Sequence, residues 1–423
     1  MNDEKRVLKR KRILARLFVL GLAVFGIVTV SYTNPGIIAH SNILRRAAAL
    51  VTDAFEPTTP PPSLGMNPTS FPLATDPVRT IPNHISIPTP LHAIYISSYS
   101  AGSKAAMNRI NPIFATSSIN AVVIDIKDAT GRLSYLPTDP YLVSTGVGTA
   151  RIPNIKSLIE SLHQKGIYVI GRVTVFQDPY YAGLNPEEAF KNSETGEMWK
   201  DYKGIAWLRP NSEKVWQYAV TIARDAYAQG FDEINMDYVR FPSDGNLSLL
   251  DKTSFTKSRL LTMQDFFMYL DKELRQVDHI PLSADLFGLT MSARDDLGIG
   301  QTLAIAAPYV DYIAPMIYPS HFAAGTYGIP LPAAAPGDII SRSLADGSAK
   351  LAKLGIPKEK LRPWLQDFSI GGVIYTQEMV RAQIEASEAL GVNSWMIWNP
   401  GNRYTAGTYN DETPTPTFIP TEM

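Results

Sequence analysis

Gly-Phe-Asp-Glu-Ile-Asn-Met-Asp-Tyr-Val-Arg-Phe-Pro, residues 230–242, decides how the chain is read. Ile234, Met236 and Val239 give it the apolar character of a buried strand, yet it also carries acids and an amide and stops at an Arg-Phe-Pro turn. Packing alone does not select acids there. Strand side chains alternate between faces, so Asn235 and Asp237 share one face while Ile234, Met236 and Tyr238 share the other. Asp232, at the base of the strand, reads as structural.

Similar apolar, β-branched runs occur on both sides of this stretch. Strands are expected at 93–98, 121–127, 168–176, 233–239, 282–287, 312–318, 362–368 and 394–398, with helical patterns near 104–115, 155–165, 213–229, 263–277, 339–354 and 376–390 and a shorter one near 301–307. Continuous apolar strands separated by helices mean parallel strands covered on both sides. Eight such units in one domain predict an α/β fold of the (β/α)8 TIM-barrel type. The competing open doubly wound sheet lacks support, since no Gly-x-Gly-x-x-Gly turn follows the first strand. Gly166, Gly230, Gly355 and Gly391 each stand between a helical pattern and a strand, where a left-handed helix cap favours glycine.

Applying the two-residue period to each strand sends Tyr95 and Ser97, Asp125 and Lys127, Arg172 and Thr174, Asn235 and Asp237, Ser283 and Asp285, Met316 and Tyr318, Trp364 and Gln366, and Met396 and Trp398 inward. A barrel filled for packing alone would show Val, Ile and Leu at these places. Some of the acids could still serve as structural ion-pair partners, Asp125 with Lys127 or Arg172 for example.

Two carboxyls flanking a bond are what glycoside hydrolysis requires, one giving a proton to the leaving sugar and the other acting as nucleophile or base. Asp237 and Asp285 end neighbouring strands and are the expected pair. Arg172 or Arg240 could hold Asp237 ionised, and Asp285, beside Leu286 and Phe287, better suits a raised pKa and the acid role. Asp125, Asp128, Asp296 and Asp367 also lie at or beyond strand ends. Asp125, Lys127, Arg172, Asn235, Arg240, Tyr318, Trp364, Gln366, Trp398 and Trp207 are the expected substrate contacts. Trp199, Trp207, Tyr180 and Tyr181, in the long loop after the third strand, are expected to supply flat faces for sugar rings.

Other chemistries have less support. The six histidines are scattered without zinc-ligand spacing, and no Gly-x-Ser-x-Gly elbow occurs. No metal or other cofactor is expected. The chain has no cysteine, which excludes disulfides and thiolate sites. Its formal charge of −1 includes a basic cluster at 5–16, so the remainder is mildly acidic and nucleic acid is not the expected partner.

That cluster precedes an apolar run, and the layout is that of a membrane-targeting segment. The chain divides into a basic cytoplasmic segment at 1–12, a transmembrane signal anchor at 13–32, a juxtamembrane and Pro/Thr-rich linker at 33–90, the barrel at 91–404 and a disordered tail at 405–423. The positive-inside rule puts the barrel outside the cytoplasm on a single-pass anchor; cleavage of the segment would instead release a secreted protein.

Four motifs carry a family likeness: Ala-Val-Val-Ile-Asp-Ile-Lys-Asp at 121–128, the 230–242 stretch, Tyr-Ile-Ala-Pro-Met-Ile-Tyr-Pro-Ser-His at 312–321 and Trp-Met-Ile-Trp-Asn-Pro at 395–400. The chain from about 91 to 404 resembles the bacterial glycosyl hydrolase domain family of unknown function, which implies a glycosidase-type TIM barrel without implying a substrate. A more distant likeness is to family-18 chitinases. Phe231, Asp232 and Asp237 match their fourth-strand motif, but Asn235 replaces its middle acid and Val239 stands where that family has its catalytic glutamate, so the proton donor of that family's mechanism is missing and the chemistry must differ or be absent. The expected activity is glycosidic-bond cleavage in a polysaccharide or oligosaccharide; the alternative is a non-catalytic glycan-binding barrel at the cell envelope.

Overall fold

The computed structural model describes residues 83–409. The basic segment 1–12, the expected anchor 13–32, most of the linker and the end of the tail lie outside the described residues. Among the described residues no helix is long and apolar enough to cross a membrane.

Eight parallel strands close into a barrel in chain order: β1 His92–Ile96, β2 Ala121–Lys127, β3 Tyr168–Thr174, β4 Glu233–Asp237, β5 Leu282–Phe287, β6 Tyr312–Met316, β7 Trp364–Gln366 and β8 Trp395–Trp398. Surrounding them are α1 Lys104–Thr116, α2 Ile155–His163, α3 Glu213–Gln229, α4 Arg259–Leu270, the short α5 Leu303–Ala306, α6 Pro336–Lys353 and α7 Gln377–Glu388. This is the TIM barrel expected from the alternating pattern. Strands β2 and β5 have the expected limits, whereas several others are shorter because pairing ends before the apolar run does.

Local chemistry sets the helix ends. Ser103, Asn154, Ser212, Ser258 and Thr376 each accept a hydrogen bond from the backbone N–H three residues on, satisfying one of the donors a helix start leaves free. Gly166, Gly230, Gly355 and Gly391 have φ of +72°, +115°, +68° and +72°, the left-handed conformation for which they were singled out.

The apolar core has two parts. Outward residues such as Ile124, Val173, Ile234, Met236 and Leu286 pack with the helices, while Ala93, Tyr95, Val123, Ile170, Ala314, Trp364 and Met396 form a second cluster inside the barrel. At the interior base Glu233, fully buried, accepts from Arg362 Nη1 (2.8 Å) and Ser283 Oγ (2.6 Å). Burying that carboxylate is tolerable because it is paired and hydrogen-bonded.

Residues 83–90, which composition assigns to the linker, fold onto the barrel. Asp232 accepts from Ile85 N (2.9 Å), Val169 N (2.8 Å) and His163 Nε2 (2.9 Å), and the His84 ring stacks on Tyr227 at 3.8 Å. Asp232 thus has the structural place expected of it. The start of the expected tail also packs: Tyr409 is buried and its hydroxyl donates to Asp367 Oδ2 (2.8 Å).

Candidate active site

The parallel register aligns Asp125 with Arg172, Arg172 with Asn235, and Asn235 with Ser283. All four point inward, and the pleat sends Asp237 and Asp285, two residues further on, to the same face. These are C-terminal strand ends, the end at which TIM-barrel sites are built.

Arg172 is the centre of the arrangement. Its Nη1 donates to Asp125 Oδ1 (2.6 Å), its Nε (3.1 Å) and Nη2 both donate to Asp237 Oδ2, and Nε lies 3.7 Å from Asp285 Oδ2. One guanidinium therefore faces three carboxyl groups. Asp125 also accepts from the Tyr95 hydroxyl at 2.5 Å. Asp237 Oδ1 accepts from the backbone N–H of Tyr238, whose φ of +53° is unusual for a bulky residue. Asp285 Oδ1 is held by Trp364 Nε1 (2.8 Å) and Asn235 Nδ2 (3.0 Å).

Electrostatics separate the acids. Burial, with Asp237 adding to it, pushes the Asp285 carboxyl up to about 8, against the opposing effects of Arg172, Trp364 and Asn235. Burial also raises Asp125, with Arg172 and the Tyr95 hydroxyl opposing. For Arg172, burial disfavours the cation, but Asp237 and Asp125 outweigh it and the guanidinium stays charged.

Aromatic rings line the mouth. Trp398 stacks on Tyr95 at 3.9 Å and lies 5.1 Å from the Arg172 guanidinium. Tyr318 meets Phe368 and His321 edge-on at 5.6 and 5.5 Å. The Arg240 guanidinium is enclosed by Trp207, Tyr238 and Phe287, at 4.8, 5.1 and 4.7 Å from the ring centres.

The fold brings together Asp125, Arg172, Asn235, Asp237, Asp285, Tyr318, Trp364 and Trp398. Trp364 and Asn235 are fully buried and contact Asp285, so they orient it and do not form an open sugar surface. Three expected substrate contacts have other positions. Lys127 pairs with Asp178 and lies over the Tyr218 ring of α3, because a register shift after Asp125 sets it opposite the outward-facing Val173. Gln366 is consumed by the scaffold: its amide accepts from Ser320 N and donates to Phe368 O. Trp207 is fully buried, with its indole N–H on Asp201 (3.0 Å). The rest of the expected platform is also packed. Trp199 and Tyr181 are buried, and Tyr180 is partly buried with its hydroxyl on Thr145 O.

Tyr95 and Phe287 are among the contributors that the sequence reading does not name as binding residues. For Tyr95 the signal was present, since alternation sends it inward beside Asp125. Among the described residues no group of three or more His, Cys, Asp or Glu could hold a metal ion.

Residues 93–404 match the model of the family described as "Putative glycosyl hydrolase domain". None of the curated proteins matches the chain. Among solved structures, a hypothetical protein from Ruminiclostridium thermocellum ATCC 27405 is 29% identical, over 48% of this chain and 98% of its own, with a TM-score of 0.42. The α-galactosidase from Thermus thermophilus in complex with stachyose is 14% identical, over 78% of this chain and 65% of its own, with a TM-score of 0.48. The spore cortex-lytic enzyme SleL of Bacillus megaterium QM B1551 is 10% identical, over 75% of this chain and 72% of its own, at 0.45.

Proposed function

The chain belongs to the glycosyl hydrolase domain family matched by residues 93–404, and from that premise we propose that it hydrolyses glycosidic bonds in a polysaccharide or oligosaccharide with Asp237 and Asp285 as its carboxyl pair. The observation that carries this reading is the contrast between the two acids. Asp237 is ion-paired with Arg172, whereas burial pushes Asp285 up to about 8, so that it holds a proton at neutral pH. A proton donor beside a carboxylate is the division of labour the reaction needs.

We take the course to be retaining, which the spacing permits. Arg172 Nε lies 3.1 Å from Asp237 Oδ2 and 3.7 Å from Asp285 Oδ2, so those oxygens are separated by no more than the sum of the two lengths. That limit admits the roughly 5–5.5 Å carboxyl separation of retaining enzymes. In this reading Asp285 protonates the glycosidic oxygen as its bond to the anomeric carbon breaks, and Asp237 Oδ attacks that carbon. Asp285, now a carboxylate, then takes a proton from water, which displaces Asp237 and restores both groups. Asp125, itself held by the Tyr95 hydroxyl, holds the far side of Arg172.

Incubating the full chain with a panel of glycans and following the first-formed anomer by proton NMR tests this. Release of sugar with retained configuration is expected; binding without release would favour the non-catalytic barrel. The acid role also has a pH signature. Turnover should fall as pH rises through about 8, where Asp285 loses its proton. The Trp364 hydrogen bond favours the carboxylate form, so Trp364→Phe should move that descending limb to higher pH. A limb that stays in place would remove Asp285 from the acid role.

In the same reading the apolar run at 13–32 anchors the protein in the cell membrane with the barrel extracytoplasmic, a reading supported by the six cations that precede it between Lys5 and Arg12. Protease added to intact cells should then degrade the barrel; protection of the barrel until lysis would reverse the orientation.

A further inference from the structure

Arg240 is a buried cation that the carboxyl chemistry leaves unused. It is only 7% exposed, and its guanidinium makes one hydrogen bond among the described residues, Nη1 to Phe241 O at 3.0 Å. No carboxylate lies within ion-pair distance of it among the described residues, in contrast to Arg172 and Arg362. Burying a cation without a counter-charge is costly, and rings alone offset only part of that cost.

The nearby acids are committed or out of reach. Asp237 is engaged by Arg172 and by the Tyr238 N–H. Asp201 accepts from Trp207 Nε1, Gln177 Nε2 and the backbone N–H groups of Lys203 and Ile205. Asp244 has an unpartnered buried Oδ1 but lies beyond ion-pair distance. Burial lowers the Arg240 pKa from its ordinary value, with Tyr238, Asp237, Asp244 and Asp201 opposing the shift without cancelling it.

Position gives the unused charge its meaning. Arg240 follows Asp237 by three residues and packs 4.7 Å from the ring of Phe287, itself two residues beyond Asp285. The guanidinium therefore lies among the segments that follow β4 and β5, close enough to Asp237 for that carboxyl to act on its charge. Trp207, Tyr238 and Phe287 fix its plane, which suits an Arg fork, since a fixed fork recognises an anion through paired N–H donors.

We propose that Arg240 forms an anion subsite next to Asp237 and Asp285, and that the glycan this site takes carries an acidic substituent on the ring bound there, a uronic carboxylate or a sulfate ester. This rests on the glycan-acting reading above. It gives the buried Trp207 a part as well, as a wall of the cage that holds Arg240.

The test measures binding of the full chain to uronic-acid oligosaccharides, to the same oligosaccharides after carboxyl reduction, and to sulfated neutral oligosaccharides of equal length. An acidic ligand is expected to bind roughly ten- to a hundredfold more tightly than the reduced one, and the preferred acidic arm identifies the substituent. The preference should weaken with added salt, disappear in Arg240→Met, and survive only in part in Arg240→Lys, which keeps the charge and loses the fork. Equal binding of acidic and reduced ligands by the unaltered protein, or no binding of any of them, overturns the proposal, as does a preference that persists in Arg240→Met. The two readings fail separately. Hydrolysis of neutral glycans without acidic preference would end the anion subsite alone, whereas acidic binding without hydrolysis of any glycan would end the catalytic reading alone.

Discussion

Asp237→Asn is expected to lower turnover by roughly 10⁴-fold or more, the scale on which removal of an essential catalytic group acts, while the folded barrel survives. The amide cannot attack an anomeric carbon as a carboxylate does. It can still accept from Arg172 through its carbonyl oxygen, and Arg172 keeps Asp125 at 2.6 Å. The same substitution removes the negative charge that helps raise Asp285, so the pH dependence of any residual activity should shift to lower pH. The decisive readout is rescue. In a retaining enzyme whose nucleophile is cut back, as in Asp237→Ala, added azide should take the vacated space, restore cleavage of a substrate with an activated leaving group and yield a glycosyl azide of inverted configuration. A variant that unfolds, seen as a large fall in the thermal midpoint, would report structure; unchanged hydrolysis by a folded variant would sink the assignment of Asp237.

Alternation and glycine punctuation made the barrel legible. Parallel strands buried on both faces leave continuous apolar runs, and each of the four singled-out glycines takes the left-handed turn between a helix and a strand. Asp125, Arg172, Asn235, Asp237 and Asp285 were also legible, because a two-residue period places polar side chains where packing gives no reason for them. Lys127 was misplaced for a physical reason: the period holds only while register is kept, and a shift just after Asp125 turns it to the helices. Its partner Asp178 lies 51 residues away in sequence, a separation that no local pattern reports. Trp207 and Gln366 show a different limit. An aromatic in a loop or an amide at a strand end is equally suited to a ligand or to a neighbouring loop, and in both cases the loop takes it. Composition likewise assigned residues 83–90 to a linker, although the docking of Ile85 and His84 depends on Asp232 and Tyr227, which are far away in sequence.

Arg172→Met is expected to be the most damaging single substitution in the mouth. The methionine fills part of the same space but leaves Asp125, Asp237 and Asp285 buried without the cation they share. Removing one partner of a buried ion pair costs about 3–5 kcal/mol, and here the remaining acids have only neutral donors, Tyr95, the Tyr238 N–H, Trp364 and Asn235. The cost should depend on pH with a definite sign. Arg172 opposes the upward push of burial on Asp125 and Asp285, so without it these two carboxyls rise further in the folded state, the folded chain binds more protons than the unfolded one over a wider range, and stability declines as pH rises through that range. Denaturant midpoints of the variant should therefore approach those of the unaltered protein in acid and fall away towards neutral and alkaline pH. Neutralising one acid tests the cause. Asp125→Asn combined with Arg172→Met should recover part of the loss even though it removes a second polar group, since residues sharing one network are not additive. If the double variant is instead less stable than Arg172→Met by the full cost of Asp125→Asn alone, charge compensation is not what Arg172 provides, and its guanidinium acts as packing across the mouth against Trp398.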